Sequence, residues 1–93
     1  MNLYTLVLDF HGGTYISQFE ADTPAEAVAA WCQELQAEQL LGAVSSDVAE
    51  GVMIDAIENR LVEVEGLHGA WCAAATVEGN LALLNVIITQ RVD

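Results

Sequence analysis

The stretch from Leu81 to Gln90 is apolar on both sides: Leu81, Leu83 and Ile87 at odd positions, Ala82, Leu84, Val86 and Ile88 at even ones. Successive residues of a strand point to opposite faces of its sheet. A strand apolar at both parities therefore belongs in the middle of a sheet, with each face covered. The chain has 93 residues, enough for one α+β domain spanning 1–93 and not for two.

Ala70 to Val77 precedes this strand across Glu78-Gly79-Asn80, a hairpin signal. A Gly79-Asn80 turn puts Trp71, Ala73, Ala75 and Val77 on the face of Ala82, Leu84, Val86 and Ile88. A Glu78-Gly79 turn slips the pairing by two residues and leaves those faces unchanged. At the N-terminus, Gly12-Gly13 separates Leu3–Phe10 from Tyr15–Ala21 and predicts a second hairpin. The expected pairs are Phe10 with Tyr15, Leu8 with Ser17, Leu6 with Phe19 and Tyr4 with Ala21. That face is apolar and belongs to the core. A fifth, short strand is expected over Leu61–Glu65, where apolar and acidic residues alternate.

Two helices are expected between the hairpins. Thr23, Pro24 and Glu26 form a capping-box start, and Gly42 is expected to stop the helix after Leu40 or Leu41. A second, shorter helix is read over Asp47–Asn59, with Ser45-Ser46-Asp47 as its cap and Val48, Val52, Met53, Ala56 and Ile57 on one face. Gly51 weakens it by about 1 kcal/mol relative to Ala.

The order is then β-β-α-α-β-β-β: an antiparallel sheet with two helices packed on one face. Two helices do not readily cover both faces of one sheet. Leu3, Val7, Ile16, Leu81, Leu83 and Ile87 occupy the second face, and an uncovered apolar surface on a small domain points to an interface. The expected partner is a second copy, sheet face on sheet face. The alternative is that the second helix crosses to cover that side.

Charge narrows the partners further. Fourteen acidic residues against two basic ones give a formal net charge of -12, while charged residues make up only 17% of the chain. The anomaly is the missing cations: there is no lysine, only Arg60 and Arg91. Such a surface argues against nucleic acid and against anionic membranes, and no segment approaches the ~20 apolar residues of a membrane-spanning helix. With 54% hydrophobic residues, a disordered acidic tail is excluded. The N-terminal segment lacks a secretory pattern and the cysteines are two, Cys32 and Cys72, so a cytoplasmic chain with reduced thiols is expected.

Chemistry-bearing motifs are sparse. Neither cysteine has a C-x-x-C partner or a basic neighbour, and both read as small hydrophobes. Asp9 and His11, with Glu63 or Glu65, fall short of a metal-ligand pattern, so no metal, no cofactor and no catalytic residue is expected. Gly66-Leu67-His68-Gly69 lacks the spacing and the lysine of a phosphate loop. A ligand pocket, if the chain has one, is expected near His11, His68 and Trp71.

The step Ala21-Asp22-Thr23-Pro24-Ala25-Glu26-Ala27 resembles the opening of HicB-like antitoxin domains over that stretch. The remaining strands depart from their pattern, and no family membership is read from it. The functional expectation is a non-enzymatic homodimeric interaction or regulatory module, of the inhibitor or immunity type, with another protein as a further partner. The alternative is a small-molecule- or metal-binding domain or minor enzyme using the His11, His68 and Trp71 region.

Overall fold

A computed structural model describes residues 1–58 and 60–91. The strands are β1 (Asn2–Phe10), β2 (Gly13–Ala21), β3 (Val62–Glu63), β4 (Ala70–Val77) and β5 (Asn80–Gln90); the helices are α1 (Pro24–Glu38) and α2 (Ser45–Glu58), joined through a 3-10 turn at Gly42–Val44. All five strands form one antiparallel sheet in the order β2-β1-β5-β4-β3. The two-sided apolar strand is the central one, as its pattern requires.

Both hairpins close through two left-handed residues. His11 and Gly12 have φ of 49° and 78°, and Glu78 and Gly79 have 51° and 78°. Two such residues make the turn whose twist matches that of the flanking strands. The first hairpin therefore corrects the expected register by two: Phe10 pairs with Gly13, Leu8 with Tyr15, Leu6 with Ser17 and Tyr4 with Phe19. The glycine pair is split, with Gly12 in the turn and Gly13 opening β2. A shift of two preserves side-chain parity, so the core face is unaltered. In the second hairpin Val77 pairs with Asn80, the Glu78-Gly79 alternative.

The helix start follows the capping signal. Thr23 is extended, and its hydroxyl accepts from the Glu26 amide at 3.2 Å. The Glu26 carboxylate accepts from the Asp22 amide at 3.1 Å, and Pro24 opens the helix where its missing N–H costs nothing. The end differs from expectation. α1 stops at Glu38, and Gln39, not Gly42, takes the left-handed cap position at φ 50°. Gly42 instead enters the 3-10 turn at φ 70°.

α2 starts two residues earlier than expected, at Ser45. Ser45 is buried, and its hydroxyl accepts from the Leu41 amide at 2.9 Å, fastening the connection. Its buried stripe is Val48, Ala49 and Val52. Ile57 is 68% exposed and is corrected out of that face, which turns about one residue toward Ala49. Asn59, the expected end of this helix, lies outside the described residues. The strand expected over Leu61–Glu65 shortens to Val62–Glu63, because the chain turns at Val64–Leu67, where the Leu67 amide donates to the Val64 carbonyl.

Both helices lie on one face of the sheet. Val28, Trp31, Cys32 and Leu35 of α1, with Val48, Ala49 and Val52 of α2, pack on Tyr4, Leu6, Leu8, Ala73, Leu84 and Val86. Tyr4 and Trp71 meet edge to face at 6.2 Å between ring centres. The second helix does not cross to the other side. Among the described residues, that face carries no helix.

Candidate functional site

Alternation places Leu3, Thr5, Val7 and Asp9 of β1 on the open face. Beside them stand Thr14, Ile16, Gln18 and Glu20 of β2, and Leu81, Leu83, Asn85, Ile87 and Thr89 of β5. β4 adds Cys72, Ala74 and Thr76. Ile16 is 67% exposed, Leu81 60% and Ile87 41%; Leu3, Val7 and Leu83 are half-buried by their neighbours. The six residues expected there all stand on this one surface.

Its charges are few. Of the fourteen acids, Asp9 and Glu20 stand on these strand positions. Seven others belong to the two helices: Glu26, Glu34, Glu38, Asp47, Glu50, Asp55 and Glu58. The polar groups between the aliphatic ones already bond to one another. Thr14 donates to Asp9 at 2.9 Å, Gln18 donates to the Thr5 hydroxyl at 3.0 Å, and Thr5 and Thr89 share a hydrogen bond across β1 and β5.

The β4 edge next to this face is closed from the helix side. β3 pairs only with Trp71 and Cys72. Beyond it, the Ala74 amide donates to the Asp55 carboxylate of α2 at 2.8 Å. The two cysteines differ. Cys32 is buried, donates to the Ala49 carbonyl at 3.4 Å, and burial pushes its thiol up to about 12. Cys72 is half-exposed in the row Ile16, Val7, Asn85 and Cys72.

His11, His68 and Trp71 are not brought together. His11 caps the hairpin at the Phe10 end of the sheet, where Phe10 faces Ala82. His68 lies beyond Ala70, which faces Ile87, so the two histidines are separated by roughly 17 Å or more of strand. Trp71 sits near the His68 end with its ring against Tyr4. His68 is exposed beside Gly69, whose role is steric: Gly69 has φ 79°, and a Cβ there would lie 2.5 Å from the Ile88 side chain.

His11 does line a cleft, with other neighbours. Both hairpin tips fall at the same end of the sheet, and the α1–α2 connection crosses above them. Phe10, His11, Tyr15, Leu40, Leu41, Val44, Glu78 and Asn80 line an open cleft of about 350 Å³. Tyr15 folds back over Gly13, so that a Cβ on Gly13 would meet its ring at 3.0 Å. The rings of Phe10 and His11 are 6.1 Å apart. Sequence reasoning found His11 but missed Glu78, Tyr15, Leu40 and Leu41, which are adjacent only once both turns are placed.

Among the described residues, no group of three or more His, Cys, Asp or Glu is placed to hold a metal ion, and no helix is long and apolar enough to cross a membrane. Compared with known proteins, no family model, curated protein or solved structure matches this chain.

Proposed function

We propose that this chain is a non-enzymatic interaction module that works as a homodimer, its two copies joined through the open sheet face. The observation that carries the reading is the contrast between that face and the rest of the surface. On a chain of net charge -12, two copies repel unless they meet where the charge is sparse. The open face exposes Ile16, Leu81 and Ile87 and bears two acids at its margins.

Area supports the same partner. Four strands of 8 to 11 residues form the surface. At ~4.8 Å between strands and ~3.3 Å per residue this gives about 590 Å² per copy and about 1,200 Å² per pair, above the ~1,000 Å² expected of a biological interface. The internal hydrogen bonds of Thr5, Thr14, Gln18 and Thr89 lower the cost of removing their water. With the sheet faces paired, each dimer presents two acidic helical layers outward, the surface available to a further, basic protein as an inhibitor or immunity factor would use it. Free thiols at Cys32 and Cys72 fit a reducing, cytoplasmic setting.

Light scattering on the eluting protein at micromolar concentration tests the stoichiometry. A mass of two chains is expected, falling to one for Leu81→Lys; a single-chain mass for the unaltered protein overturns the reading.

A further inference from the structure

We propose that the cleft between the two hairpin tips binds a small organic cation: a primary amine carried on an apolar, aromatic-sized stem. The lining divides by chemistry. Phe10, Leu40, Leu41 and Val44 give an apolar bed, Tyr15 adds a phenol ring, His11 an imidazole, and Glu78 is the one carboxylate among the lining residues. Neither Arg60 nor Arg91 lines it. Tyr and Phe rings attract a cation through their quadrupole, and a carboxylate pairs with an ammonium in a charge-assisted hydrogen bond.

Other ligand classes fit less well. An anion meets neither arginine there and is repelled by a chain of charge -12. A neutral apolar molecule strips water from Glu78 and gives nothing back. The volume is at the small end of ligand pockets, which selects a compact ligand over an extended one.

Two of the lining residues are placed at conformational cost. His11 and Glu78 are side-chain-bearing residues in left-handed turn positions where Asn, Asp or Gly usually sit. Gln39, left-handed at the end of α1, directs Leu40 and Leu41 over the tips. Phe10, Tyr15 and Asn80 project on the helix side of the sheet, opposite the open face. The cleft therefore lies on the helix side of the sheet, and a monomer carries the same lining.

The test is a titration followed by amide chemical shifts, with phenethylamine as the probe and 2-phenylethanol as its neutral counterpart, on the unaltered chain and on Glu78→Gln. Phenethylamine is expected to shift His11, Tyr15 and Leu40 saturably and to bind about tenfold more tightly than the alcohol. Glu78→Gln is expected to remove that difference by weakening the amine, while the alcohol binds at least as well as before. The proposal is overturned by equal binding of amine and alcohol to the unaltered chain. It is equally overturned by an amine preference that survives Glu78→Gln, or by shifts spread over the helix acids instead of the cleft. The comparison of the two probes on the unaltered chain stands even if the variant fails to fold.

Discussion

Gly51 of α2 lies directly against Ala75 of β4: a Cβ placed on Gly51 would come within 2.7 Å of the Ala75 methyl. A glycine inside a helix lowers its intrinsic stability, yet here it lets the helix axis approach the sheet. Gly51→Ala gains up to about 1 kcal/mol of helix propensity and incurs about 1–3 kcal/mol of overpacking. The expected outcome is a net loss, read as a lower urea midpoint with an unchanged slope. Ala75→Gly in the same chain should restore part of it, so that the two changes together cost less than their sum.

Asp55 and Ala74 form the second tie between this helix and the sheet. Asp55→Ala leaves the Ala74 amide without that acceptor, for an expected cost of about 1–3 kcal/mol. Asp55→Asn keeps an acceptor oxygen and should cost less. Hydrogen exchange at Ala74 is the local readout: faster exchange is expected in the alanine variant.

The turn positions trade stability against the cleft. Glu78 holds φ 51°, which Asn tolerates better. Glu78→Asn should raise stability by relieving part of the roughly 1–3 kcal/mol cost of a left-handed non-glycine residue, and should abolish the preference for the amine probe. A thermal melt and the titration on one sample decide both.

Burial of Cys32 fixes a pH dependence. The unfolded thiol ionises above about 9, whereas the folded one stays protonated until about 12. The folded state therefore holds the extra proton between these limits, and stability falls as pH rises from about 9 toward 12. Cys32→Ala lacks that slope. The difference between the urea stabilities of the two chains should be constant below pH 9 and shrink above it, every other titrating group being common to both.

Much of this architecture is legible in the chain. The two-parity run at Leu81–Gln90 placed β5 in the centre, and Thr23-Pro24 with Glu26 placed the start of α1. What was not legible depended on choices that local patterns leave degenerate. Gly12-Gly13 permits two turns that share a core face, so periodicity does not distinguish them. Gln39 is an unexpected helix stop because it carries a Cβ and takes the left-handed position three residues before a glycine that adopts it without strain. The cleft was half legible for the same reason: His11 stood out by residue type, while Glu78 and Leu40 join it only through the register of both hairpins.

Cys72 sits in the row of Ile16 and Val7 on the open face, the one half-exposed thiol beside a buried Cys32. It reports the central claim directly, because its reactivity depends on whether that face is covered. The measurement is the rate of Cys72 modification by a disulfide reagent as protein concentration rises, with light scattering on the same samples. The rate per thiol is expected to fall as the two-chain mass appears, and Leu81→Lys is expected to keep it fast throughout. A rate independent of concentration while the dimer forms would place the contact elsewhere, such as the free β2 edge, and contradict the account.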